Sequence, residues 1–77
     1  MDSGALWRER LRVMLHSARR QAGLSQFELA CAIGTTDKTV YRIEKGLTKA
    51  ADDLVDEWLR VTGFEIDTTL RRRDGNP

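Results

Sequence analysis

The stretch LSQFELACAIGTTDKTVYRIEKG, residues 24–46, holds two short segments with helical pattern on either side of a glycine. We expect a first helix over about 26–33 and a second over about 37–45. The second segment has only two aliphatic residues, Val40 and Ile43, three positions apart. Nearly all its other residues are polar or charged, so a purpose other than burial is expected for its outer face.

Both segments carry signals for where a helix begins. Ser25 and Glu28 form an S-x-x-E capping box before the first helix, and Thr36 is the expected N-cap of the second. Gly34-Thr35-Thr36 is the whole connection between them. Two short helices joined by a three- or four-residue turn that contains glycine are typical of a helix-turn-helix. In that motif the second helix protrudes enough to enter a DNA major groove, which is about 12 Å wide.

The flanking sequence predicts two more helices and one strand. A helical face in residues 5–22 includes Trp7, Leu11 and Leu15, and a fourth helix over about 50–62 carries an apolar stripe that includes Trp58. Glycines 23, 34, 46 and 63 each follow a helical segment, where a left-handed residue commonly ends a helix. After residue 63 apolar and polar residues alternate with a period of two, which predicts a strand over 64–72.

A lone strand in a helical chain would leave its backbone hydrogen-bonding groups open. We therefore expect a helical domain over 1–63, and we expect the strand 64–72 to pair with its copy in a two-fold dimer. Residues 73–77 are expected to be a disordered tail. A frayed tail and pairing within the chain are the alternatives to the dimer ribbon. The expected dimer interface consists of Trp58, Phe64, Ile66, Thr68 and Leu70.

Composition argues against several classes of protein. The 77 residues include one cysteine, Cys31, and one histidine, His16, so we expect no disulfide, no metal site and no cofactor. The sequence has no paired-carboxylate motif and is too short for a deep pocket, so neither an enzyme nor a small-molecule receptor is expected. No run of apolar residues approaches a membrane span, and we expect a cytoplasmic protein. Residues 1–49 hold nine basic and five acidic residues, which suits a polyanionic partner. Residues 50–70 hold one basic and six acidic residues.

The motif Leu24-Ser25-Gln26-x-Glu28-Leu29-Ala30, followed by Ile33-Gly34 and Thr39-Val40-x-x-Ile43-Glu44-x-Gly46, resembles the Cro/C1-type (Xre family) helix-turn-helix of phage repressors. The resemblance covers about 15–63. It implies a mainly α, lambda-repressor-like domain of four or five helices that binds operator DNA as a dimer. It also implies an ion pair between Arg19 and Glu44. The strand after the fourth helix is similar in position to that of the HipB-type antitoxins, where such a strand builds the dimer.

The resemblance implies that Asp37, Lys38, Thr39 and Arg42 face the groove and that Gln26 contacts phosphate. Arg42 suits the O6 and N7 atoms of guanine, with a surface or phosphate role as the alternative. Asp37 fits either cytosine N4 or the positive end of its own helix. Tyr41 is expected on a thymine methyl, on the DNA backbone or partly buried. The expected phosphate contacts, with a merely solvated loop as the alternative for the last three, are Gln26, Thr36, Lys45, Thr48 and Lys49.

Two functions therefore follow from the sequence. The first is a sequence-specific transcriptional regulator, a dimeric repressor that reads operator half-sites with residues 36–45. The second is an antitoxin that holds a toxin protein and regulates its own operon. In both cases double-stranded DNA and a second copy of the chain are expected partners, in the nucleoid of a prokaryote or in a phage.

Overall fold

The computed structural model describes residues 3–67 and 69–73, which form four helices followed by two short strands. In chain order these are α1 (Ser3–Gln21), α2 (Gln26–Ile33), α3 (Asp37–Glu44), α4 (Asp52–Thr62), β1 (Phe64–Ile66) and β2 (Leu70–Arg72). The expected mainly α domain is confirmed. In the described part of the chain, no helix has the length and apolar character needed to cross a bilayer.

Side chains at the start of α2 and α3 fix where these helices begin. The hydroxyl of Ser25 accepts from the Glu28 N–H at 2.9 Å, and the Ser25 N–H donates to the Glu28 carboxylate at 2.8 Å, so the capping box is complete. The Thr36 hydroxyl accepts from the Thr39 N–H at 3.2 Å. Gly34 ends α2 in the left-handed conformation, with φ of 76°, which glycine adopts without strain. The turn between the two helices is therefore set by local interactions.

The four helices enclose a core with Trp58 of α4 at its centre. The Trp58 side chain is fully buried, and its indole N–H donates to the Leu15 carbonyl of α1 at 2.9 Å. The buried apolar residues are Leu15, Ala18, Leu29, Ala30, Val40, Ile43, Ala50, Trp58, Leu59 and Phe64. Trp58 and Phe64, both expected at a dimer interface, therefore pack inside one chain. Trp7 is 44% exposed and lies outside this core.

The segment after α4 is a hairpin, so the strand predicted over 64–72 is divided in two and pairs within the chain, which was an alternative to the dimer ribbon. β1 and β2 pair antiparallel, with Phe64 opposite Arg72, Glu65 opposite Arg71 and Ile66 opposite Leu70. Three residues, 67–69, separate the strands. Because this number is odd, the apolar residues fall on even-numbered positions in both strands. The alternation of apolar and polar residues therefore runs through the turn as it would along one strand.

The hairpin is continuous with the helical core. Phe64 is buried, Ile66 and Leu70 are half-buried against the core, and the Arg73 N–H donates to the Gly63 carbonyl at 2.7 Å. Arg73 was expected in a disordered tail, but this hydrogen bond places it beside β1. Thr68 and residues 74–77, for which an interface role and disorder were expected, lie outside the described residues.

Candidate nucleic-acid interface

Helix α3 has one buried face and one exposed face. Val40, Ile43 and Glu44 are 0%, 2% and 4% exposed and hold the helix against the core. The opposite side carries exposed residues three or four positions apart, which form one stripe along the helix. These are Asp37, Lys38, Tyr41, Arg42 and, just past the helix end, Lys45. We call this set the α3 outer face.

Arg19 of α1 and Glu44 form the ion pair that the resemblance implied. The Arg19 Nε and Nη2 atoms donate to the two carboxylate oxygens of Glu44 at 2.7 and 3.0 Å. The remaining guanidinium nitrogen of Arg19, Nη1, donates to the carbonyl of Leu24, just before α2, at 2.9 Å. Both side chains are nearly buried. Because a bidentate pair between a planar guanidinium and a carboxylate is directional, it fixes α3 against α1 and α2.

On the α3 outer face, two of the three cations have no partner among the described residues. The side chains of Lys38 and Arg42 are exposed and make no hydrogen bond or ion pair with the described residues. They lie one turn apart on the same stripe. The Tyr41 ring is 45% exposed and has the Lys45 ammonium 5.8 Å from its centre. The side-chain donors of Lys38 and Arg42 are thus exposed to solvent, on a helix whose opposite face is held against the core.

Asp37 and Thr39 take part in the start of α3. The Asp37 carboxylate accepts from the Lys38 N–H at 2.9 Å, as an acidic residue at a helix start does. The half-buried Thr39 accepts at its hydroxyl from the Thr36 hydroxyl at 3.0 Å. These bonds supply a local role for each residue beside the predicted base contact.

The five residues expected at phosphates have different surroundings. Gln26 is half-buried, and its side-chain amide donates to Glu44 at 3.0 Å, so that amide already has a partner within the chain. Thr36 uses its hydroxyl oxygen to cap α3. Lys45, Thr48 and Lys49 are exposed where the chain leaves α3.

Residues 15–68 match a family model described as helix-turn-helix, of the Cro/C1-type (Xre) family. The chain belongs to this family. Its members are DNA-binding transcription regulators and are not normally enzymes. No curated protein and no solved structure matches the chain. The match includes both helices of the motif and the ion pair that fixes them, but it begins after the first three turns of α1.

Within this helix-turn-helix domain, Glu44 is charged despite its burial. Burial has the largest single effect and raises the pKa of the Glu44 carboxyl. Hydrogen bonds from Arg19 and Gln26, together with the charges of Arg19 and His16, outweigh it, and the pKa lies below its ordinary value. The carboxylate is therefore ionised at neutral pH, as the pair with Arg19 requires.

Two residues of α1 lie at the helix-turn-helix although no such role was predicted for them. The Arg12 guanidinium donates to the Glu44 backbone carbonyl at 2.9 Å, and the His16 Nδ1 lies 3.7 Å from the Glu44 carboxylate. Positions 12, 16 and 19 are four and three apart and share a helix face, and that spacing was the available signal.

Proposed function

We propose that the protein is a sequence-specific transcriptional repressor that acts as a dimer and reads operator half-sites with α3. The observation that carries this proposal is the α3 outer face: Lys38 and Arg42 are exposed and unpaired within the described chain, on a helix whose other face is fixed. A solvated face of a small domain needs no such fixing. A helix that reads base edges does, because each base contact depends on placement.

Arg42 is the proposed base reader. Its guanidinium can donate two parallel hydrogen bonds to O6 and N7 of one guanine, the commonest specific contact in the major groove. Lys38, one turn earlier, has the same access to a base or a phosphate. Asp37, Thr39 and Tyr41 are assigned to the same groove, with Tyr41 against a thymine methyl. Asp37 is the weakest assignment, because its carboxylate already stabilises the start of α3.

The DNA backbone is assigned to groups on either side of α3. Lys45, Thr48 and Lys49 supply exposed donors after its C-terminus. At the start of α2 the side chain of Gln26 is held by Glu44, so its contact to phosphate goes through the backbone N–H groups of that helix end. Thr36 lies between the two sets. Such contacts fix the register of the protein on the duplex without reading sequence.

Dimerisation would place two such helices in successive major grooves. Half-sites would then lie about 34 Å apart, one helical turn of DNA, or a multiple of it. A two-stranded sheet has open edges, and the hairpin presents the half-buried Ile66 and Leu70. We assign the dimer contact to this hairpin.

Selection of bound sequences from a random pool of duplex DNA at physiological salt tests the proposal. We expect enrichment of a motif with two-fold symmetry and a fixed spacing between its halves. Arg42→Ala run in parallel should lose enrichment at one base position in each half. If the unaltered protein enriches no sequence, the proposed function is wrong.

An antitoxin is the second candidate, and the acidic residues of α4 favour it. Asp52, Asp53 and Asp56 are exposed and give this helix an acidic character unsuited to DNA. Such a surface could hold a basic partner protein. A neighbouring reading frame for a small toxin would support this function if its product binds the wild-type protein. The same product should not bind a variant in which the three aspartates are changed to Asn. The lack of such a reading frame would count against it.

A further inference from the structure

The side chain of Arg12 joins the first helix to the last turn of α3. Its Nη1 donates to the Glu44 carbonyl at 2.9 Å, and its Nε donates to the Glu9 carboxylate at 2.9 Å. Its Cδ and Nε lie 3.1 Å from where a Cβ on Gly46 would be. The guanidinium therefore lies over the point where the chain leaves the helix, packed against a residue that has no side chain.

This contact satisfies a group that a helix end leaves open. The last carbonyls of a helix have no partner within it and carry partial negative charge. Arg12 donates to one of them. The next residues complete the turn, because the Leu47 N–H donates to the Arg42 carbonyl at 2.8 Å and Gly46 adopts φ of 76°. The turn leads directly to Thr48 and Lys49.

Arg12 and Glu9 both lie upstream of residue 15, where the match to the family begins. The pair between Arg19 and Glu44 holds the side chain of Glu44, whereas Arg12 holds its main chain. The additional turns of α1 thus supply a second attachment for α3, at its C-terminal end.

We propose that Arg12 is a positioning residue for DNA binding: it fixes the C-terminal turn of α3 and, through it, the placement of Lys45, Thr48 and Lys49 on the DNA backbone. Glu9 orients the Arg12 guanidinium from the other side. The role rests on the proposed function, because it supposes that these residues meet DNA.

The first test measures the turn without DNA, by amide hydrogen exchange of the Leu47 N–H. In Arg12→Ala we expect this N–H to exchange about tenfold faster, while core amides of α4 keep their protection. Arg10→Ala is the matched control, since Arg10 is on the same helix, exposed and without a partner in the described chain. Unchanged exchange at Leu47 in Arg12→Ala would overturn the positioning role and leave the proposed function intact.

The second test measures affinity for the selected DNA at a temperature where every variant is folded. Arg12→Ala is expected to bind about tenfold more weakly, the loss that one charge-assisted hydrogen bond corresponds to. Arg12→Lys keeps the charge but not the planar fork and should fall between. Full affinity in Arg12→Ala, or full rescue by Lys while Leu47 still exchanges fast, would overturn the positioning role. If the wild type selects no DNA, the proposed function fails whatever the exchange data show.

Discussion

At the scale of single residues, Glu44 connects three elements of the helix-turn-helix. Its carboxylate accepts from Arg19 of α1 and Gln26 of α2, while its carbonyl accepts from Arg12. Taking a carboxylate out of water is costly unless its partners replace the lost solvation. Here the partners are numerous enough to keep it charged. One residue of α3 thus relates the helix to both of its neighbours.

This charge makes stability depend on pH in a direction that can be worked out. The pKa of folded Glu44 lies below its ordinary value of 4.5, which it regains on unfolding. The stabilisation is therefore fully present above pH 4.5 and is lost as the pH falls through the folded pKa. Urea unfolding over pH 3–7, with the Glu44 carboxyl followed by NMR, checks this. Titration of Glu44 at or above its ordinary pKa would contradict it.

The exposed carboxylate of Glu65 serves as the comparison for Glu44. Its pKa is also lowered, first by the hydrogen bond from Arg71, but the pair is open to solvent. Exposed pairs contribute little because water and salt screen them. Glu65→Gln should therefore leave the acid dependence of stability nearly unchanged, whereas loss of Glu44 leaves Arg19 buried without its partner, at a cost of about 3–5 kcal/mol.

Arg42 is the residue that we propose reads the base sequence. Removal of a guanidinium bonded to one guanine should weaken operator binding by about 1–3 kcal/mol and relax selectivity at that position only. Competition binding of Arg42→Ala against operators changed at each base measures both effects. Arg20→Ala is the control, an exposed arginine on α1 with no partner in the described chain. Equal weakening on every sequence would show that Arg42 contacts phosphate instead.

At the scale of elements, local signals determined what could be predicted. The two motif helices were predicted to within a residue or two, because local residues mark their ends. Ser25 and Thr36 cap the starts of α2 and α3, and Gly34 ends α2. The hairpin was missed because a three-residue turn leaves the alternation unbroken. Arg12 was missed because its partner is 32 residues away, and the helix face that positions 12, 16 and 19 share does not indicate which group that face contacts.

The capping box gives a prediction for α2. Ser25→Ala removes the acceptor for the Glu28 N–H and should lower the free energy of unfolding by about 1 kcal/mol. Ser17→Ala provides the contrast, since Ser17 lies inside α1, where alanine favours the helix and only an exposed bond from Gln21 is lost. Thermal or urea unfolding of both variants compares them. A loss as large for Ser17→Ala would mean that the cap is not the cause.

At the scale of the whole molecule, opposite charges lie on different elements. The basic α3 outer face belongs to the first 49 residues, whereas α4 carries four acidic residues and one arginine. A polyanion is attracted to the α3 outer face and repelled by α4, which favours a single orientation on DNA. The hairpin carries both signs, with two acidic residues and three arginines over 64–73, and we propose that it is left for contact between copies.

Two truncations test that assignment while keeping the buried Phe64. Removal of residues 64–77 would also remove buried Phe64, and loss of a dimer would then be confounded with unfolding. Truncation after Asp67 keeps Phe64 and β1 but deletes β2, while truncation after Arg73 keeps the whole hairpin. We expect the shorter chain to sediment as a helical monomer with weaker operator binding, and the longer one to behave as the full chain. A dimer that survives loss of β2 would show that the intact hairpin is not needed for the contact between copies.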